Sequence, residues 1–135
     1  MENNEPWQTT SPGRAHRLRD YARVGQFMLQ RGLWCGQQLL PEDWVVRATV
    51  SSREKVQPGR LYPGYALGYR YQWGTFPADD LSYTAEGFNG QFLYVNPAEQ
   101  LMVVITSAWL RFWDSALEAE FYATIVALIE LTESP

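Results

Sequence analysis

The stretch 91–107, QFLYVNPAEQLMVVITS, does most to constrain the fold of this chain. Two apolar runs rich in aromatic and β-branched residues flank Asn96-Pro97-Ala98-Glu99-Gln100, a composition that suits two strands around a short turn. Pro97 has no N–H to give to a ladder, so it ends the first strand. Just upstream stands Ala85-Glu86-Gly87-Phe88-Asn89-Gly90-Gln91. Neither glycine of this Gly-x-x-Gly piece carries a Cβ, so the backbone can approach a ligand closely. The segment reads as the edge strand of a binding or active site.

The remaining elements follow from period and punctuation. Residues 1–13 read as a flexible lead-in with Ser11, Pro12 and Gly13 as turn residues, ahead of a single domain over 14–135. Leu18, Tyr21, Ala22, Gly25, Met28 and Leu29 form one stripe of a helix over 17–31, and Gly32 suits its C′ position. A turn or strand-like connection over 33–40 leads to Pro41-Glu42-Asp43. Proline and two acids fit the first turn of a second helix, running to about residue 50. Polar, Pro/Gly-punctuated residues 51–64 read as a loop. Leu67, Tyr69, Tyr71 and Trp73 alternate with Gly68, Arg70, Gln72 and Gly74, which predicts one half-buried strand over 65–76. Pro77-Ala78-Asp79-Asp80 is the next turn. Strands are expected over 83–95 and 101–108. Asp114 or Ser115 caps a last helix, whose stripe is Leu117, Phe121, Ile125, Leu128 and Thr132. Helix, helix, three strands, helix is an α+β order with an antiparallel sheet.

Composition excludes several function classes. The 135 residues support one core, and 46% apolar content is that of a globular chain. A net charge of −4 argues against a general nucleic-acid surface. His16, Arg17, Arg19 and Arg23 alternate with apolar residues as a solvated helix face does. Single residues Cys35 and His16 allow no intramolecular disulfide and no multi-cysteine metal site, and they give a catalytic Cys35 little support. No metal-ligand spacing, phosphate-cradling loop or cofactor motif is present. The apolar runs near 101–110 and 121–131 fall short of the roughly 20 residues of a membrane span. The N-terminus MENNEPWQTTSPG lacks the apolar core of a signal peptide, so the chain as given is expected to be cytoplasmic.

Two longer stretches carry a family resemblance. RDYARVGQFMLQRGLWCGQQLLPEDWV resembles the helix–turn–helix stretch of β-lactamase-related, penicillin-recognising serine hydrolases. GYALGYRYQW followed by YTAEGFNGQFLYVNPAEQLMVVITSAW resembles their closing sheet. The similarity runs from residue 17 to 129. It is nearest to the class C-like esterases and 6-aminohexanoate-dimer hydrolases. It implies the C-terminal part of a β-lactamase/transpeptidase-like fold. In that family a serine of Ser-x-x-Lys attacks, and a lysine or the tyrosine of Tyr-x-Asn takes its proton. A third motif on a sheet-edge strand supplies an oxyanion N–H. By resemblance that motif is Ala85-Glu86-Gly87, the oxyanion donor is the N–H of Phe88, and Ala85, Glu86, Gly87 and Asn89 meet the substrate. Ala85 stands where penicillin-binding enzymes carry a cation, which argues against a penicillin carboxylate and is compatible with an ester or amide. Glu86 either favours a substrate ammonium or simply faces solvent.

Two literal motif matches are decoys on this reading. Ser52-Arg53-Glu54-Lys55 sits in a polar stretch with no helical period behind it, whereas a catalytic serine opens a buried helix. Tyr94-Val95-Asn96 lies in a hairpin strand and follows Gly87 instead of preceding it. Asp79-Asp80 reads as a turn and not an acid/base pair. The aromatic series Tyr62, Tyr65, Tyr69, Tyr71, Trp73 and Phe76 reads as sheet and loop packing, with one or two members near the site also lining a substrate cleft. No nucleophile is therefore assigned in this chain, and it is expected to be inactive alone. The expected partner is the missing N-terminal half, or a second copy through an open sheet edge. The alternatives are a non-catalytic interaction module and a truncated reading frame without function.

Overall fold

The structure, a computed structural model, describes residues 17–77 and 80–133. The expected lead-in, His16 and Asp79 lie outside the described residues. Helix α1 spans Leu18–Leu29. The N–H of Arg17 donates to Asp20 Oδ2 at 3.2 Å and secures its first turn. Gly32, at φ +83°, ends it by donating to the Phe27 carbonyl at 2.9 Å. Strands β1 (Leu33–Trp34) and β2 (Gln37–Gln38) form a small hairpin with Cys35 and Gly36 at positive φ. Helix α2 spans Glu42–Thr49, with Glu42 and Asp43 in its positive first turn. A 3-10 turn at Glu54–Val56 breaks the following loop.

The main sheet holds β3 (Gly68–Arg70), β4 (Trp73–Thr75), β5 (Tyr83–Gly87), β6 (Gln91–Asn96) and β7 (Leu101–Thr106), all antiparallel in that order. Helix α3, Ser115–Glu133, closes the fold. Asp114 caps it, its Oδ1 accepting from the N–H groups of Ala116 at 3.1 Å and Leu117 at 3.3 Å. The single strand expected over 65–76 is instead the β3–β4 hairpin, and the single strand expected over 83–95 is instead the β5–β6 hairpin, which turns back at 88–90. Tyr71 (φ 42°) and Gln72 (φ 76°) form the two-residue β3–β4 turn, so Arg70 pairs with Trp73. The alternating pattern runs unbroken through the turn because both turn residues can stay exposed: Tyr71 stacks loosely on Trp44 there.

Period-2 alternation divides the sheet between two helical layers. Tyr83, Leu93 and Val95 face α1 and α2 and pack with Met28 and Val45. Phe92 and Tyr94 face the other way, against Phe121 and Ile125 of α3. Helix α1 comes close to the sheet because residue 25 is glycine: a Cβ there would lie 2.7 Å from Leu93 Cδ1. Two edge features position the candidate site. Strand β4 pairs with β5 only at Tyr83 and Thr84, so Ala85–Gly87 run past its end as a true edge. At the other side, β7 pairs with β6 alone among the described residues.

Candidate functional site

The exposed end of β5 leads into a tight turn. Gly87 pairs with Gln91, and Phe88, Asn89 (φ 57°) and Gly90 (φ 84°) connect them. Asparagine and glycine tolerate these left-handed angles, which branched residues do not. The turn is lashed to the loop after β7. Asn89 donates through its N–H to the Phe112 carbonyl at 3.1 Å and accepts from the Trp109 N–H at 3.0 Å. Its Nδ2 donates to the carbonyls of Trp109 at 3.0 Å and Arg111 at 3.2 Å. A Cβ on Gly90 would meet Ser107 Oγ at 2.2 Å and the Trp109 ring at 2.5 Å. The backbone approach expected of this glycine is thus made to the protein's own tryptophan. Between these anchored residues, the Phe88 N–H has no acceptor among the described residues. The Phe88 ring is exposed and rests on Phe112, centroids 4.0 Å apart.

A cleft of about 620 Å³ adjoins this strand end on the α1 face. Ala85 and Gly87 contribute to its wall, with Leu93 and Val104 from the sheet and Tyr21 and Val24 from α1. No cationic side chain of the described residues lines it. Its acids are Glu86 and Asp20, and Asp20 is already paired with Arg23 at 2.9 Å. Such a cleft can take an apolar or neutral group and offers a carboxylate no charged partner among the described residues, only uncharged donors such as Gln91 and Thr106.

Glu86 has protein partners that neither sequence expectation included. Its carboxylate is half-buried: Tyr122 of α3 reaches it, while the residue also borders the cleft. The Tyr122 hydroxyl donates to Glu86 Oε1 at 2.5 Å, and Tyr65 donates to the same carboxylate. Burial pushes the Glu86 carboxyl up from its ordinary range, and the two tyrosine hydrogen bonds oppose that. Burial also raises the Tyr122 hydroxyl, and the Glu86 charge raises it further. Glu118 lies near the group, likewise raised by burial and then by Glu86, and accepts from Trp113 Nε1 at 3.2 Å.

Asn89, expected to meet substrate, spends both Nδ2 hydrogens on the Trp109 and Arg111 carbonyls, so only its Oδ1 is left for a ligand. Ser52 is exposed, precedes a three-residue 3-10 turn and accepts a hydrogen bond from Arg70. Tyr94 and Asn96 are buried, and Asn96 Nδ2 donates to the Tyr94 hydroxyl at 3.2 Å and to Asp80 Oδ2 at 2.8 Å. Asn96 Oδ1 caps the β6–β7 turn by accepting from the N–H groups of Ala98 and Glu99. Both decoys thus have structural work, and neither borders the cleft. Cys35 is exposed at the β1–β2 hairpin tip. Among the described residues no group of three His, Cys, Asp or Glu could hold a metal ion, and no helix is long and apolar enough to cross a membrane.

Tyr122 and the Ser107–Phe112 loop are the parts of the site that sequence reasoning missed. Gly90 was their one local signal, and its crowding by Trp109 depends on a contact 19 residues away in the chain.

No protein-family model matches the chain. A curated relative, 6-aminohexanoate-dimer hydrolase of Paenarthrobacter ureafaciens, is 29% identical over 93 residues, which is 67% of this chain and 24% of the relative. A solved structure from Bacillus anthracis, provisionally assigned as a 6-aminohexanoate-dimer hydrolase, superposes with a TM-score of 0.64 at 26% identity. That match covers 87% of this chain and 30% of the other. The chain thus spans about a quarter of the length of the curated relative. It is a weak homologue of 6-aminohexanoate-dimer hydrolase, and the partial coverage fits a C-terminal portion of such a hydrolase.

Proposed function

We propose that this chain forms the oxyanion side of an acyl-transfer site in a β-lactamase-related serine hydrolase acting on a neutral ester or amide. The observation that carries the reading is the Phe88 N–H. It makes no hydrogen bond among the described residues and follows Gly87, which lines the cleft where β5 becomes an edge. A preorganised backbone donor at such a place can stabilise the charge of a tetrahedral intermediate. The nucleophilic serine and its base come from polypeptide outside these 135 residues, on the same chain or on another. Ser52 and Tyr94 are occupied elsewhere, as described above.

The lack of a cationic lining favours a substrate without a carboxylate at this end of the cleft. A fluorophosphonate probe, which labels activated serines, tests the reading. The chain alone should stay unlabelled. Mixed with the N-terminal portion of a 6-aminohexanoate-dimer hydrolase, it should induce labelling on that portion. Labelling of Ser52 in the chain alone would refute the assignment.

The open edge of β7 favours a second reading, an interaction module that pairs by strand addition with the N-terminal half or with a second copy. A stable homodimer that gains nothing from the N-terminal portion would select it.

A further inference from the structure

Resting on the acyl-transfer reading, we propose that Tyr122, acting through Glu86, is a positioning residue that holds the Phe88 N–H in line with the reacting carbonyl. Glu86 immediately precedes Gly87 and lies two residues before Phe88, on the part of β5 that β4 does not reach. With one neighbouring strand gone, the strand end keeps its ladder to β6 and the Glu86–Tyr122 contact of 2.5 Å. Tyr65 adds a second donor to that carboxylate from the loop before β3.

The support behind Tyr122 is firm. Phe121, its neighbour on α3, is buried and stacks on Phe92 with centroids 4.3 Å apart, and Ile125 is buried one turn on. Phe92 is the residue that pairs with Glu86 across β5 and β6. Helix, strand pair and carboxylate therefore form one closed set of contacts around the strand end. An oxyanion donor acts only when aimed at the place where charge develops, and small displacements are expensive in rate. The titratable groups facing Glu86 are Tyr65, from the loop, and Tyr122 and Glu118, from α3; no cation joins them among the groups that influence it.

The test uses two readouts. In the chain as given, Tyr122→Phe keeps the ring and removes the hydroxyl. The Phe88 amide NMR resonance should move, while those of Leu93 and Val95 stay in place. Glu86→Ala should move it the same way, and Glu86→Gln, which keeps an acceptor oxygen on the same stem, should largely restore it. A Phe88 resonance unmoved by both Tyr122→Phe and Glu86→Ala overturns the proposal. In the assembly with the nucleophile-bearing portion, Tyr122→Phe should lower kcat for an ester about tenfold and leave KM within about twofold, the pattern of a lost transition-state contact. Wild-type turnover with unchanged kcat in the variant overturns the positioning role alone. A wild-type assembly with no turnover overturns it together with the reading it rests on.

Discussion

Asn89 Nδ2 lies 3.0 Å from the carbonyl oxygen of Trp109, and this contact joins the β5–β6 turn to the loop that follows β7. The same nitrogen reaches the Arg111 carbonyl at 3.2 Å. Asparagine also tolerates the φ of 57° required there. One residue thus supplies both the bend beside Phe88 and its fastening.

Replacing Asn89 separates the two roles. Asn89→Gly keeps the left-handed angle and loses both donors, which should cost about 1–3 kcal/mol. Asn89→Asp should cost more, because a carboxylate would face two carbonyl oxygens. Urea unfolding of the two variants checks the order.

Gly90→Ala should be worse than either loss of one hydrogen bond. The new methyl would enter the space of Ser107 Oγ and the Trp109 ring while adopting a φ of 84°. Left-handed strain and overpacking together predict about 2–4 kcal/mol of destabilisation. A matching fall in the denaturation midpoint, with loss of Trp109 fluorescence burial, is the expected result.

Phe121→Ala and Leu110→Ala should differ sharply although both delete a large apolar side chain. Phe121 is 5% exposed and stacks on Phe92, whereas Leu110 is fully exposed. The first should cost about 3–5 kcal/mol and the second under about 0.5 kcal/mol. Thermal denaturation of the pair distinguishes core from surface on the α3 side.

Glu86 and Glu118 make stability depend on pH with a definite sign. Burial raises the folded-state pKa of both above the ordinary carboxylate value. The folded protein therefore binds more protons than the unfolded chain between about pH 4.3, the ordinary glutamate value, and the raised folded pKa values. Their contribution is most favourable below that window and declines as pH rises through it. Glu86→Gln should flatten the decline while keeping an acceptor for Tyr122. A denaturation series from mildly acid to neutral pH measures the slope, and an unchanged slope in the variant would count against a raised Glu86.

Much of the fold was legible from the chain because its signals were local. Asp114 ahead of the stripe Phe121–Ile125 marked the start of α3, and Gly32 marked the end of α1. Pro97 divided β6 from β7 as expected, with Asn96 completing the turn. The β3–β4 hairpin was missed because Tyr71 and Gln72 are ordinary strand residues by composition and adopt turn angles without glycine. At the site, the edge character of Ala85–Gly87 was readable, and the direction of Glu86 was not. Its binding partner, Tyr122, lies 36 residues away and carries no motif. A polar side chain on a half-open strand looks solvent-facing until the helix that covers it is placed.

The most direct test of the account is hydrolysis of a chromogenic short-chain ester by this chain, by the N-terminal portion of a 6-aminohexanoate-dimer hydrolase, and by the two together. Turnover should arise only in the mixture, since the Phe88 donor and the nucleophile would stand on different pieces. Turnover by this chain alone, abolished by Ser52→Ala, would contradict it.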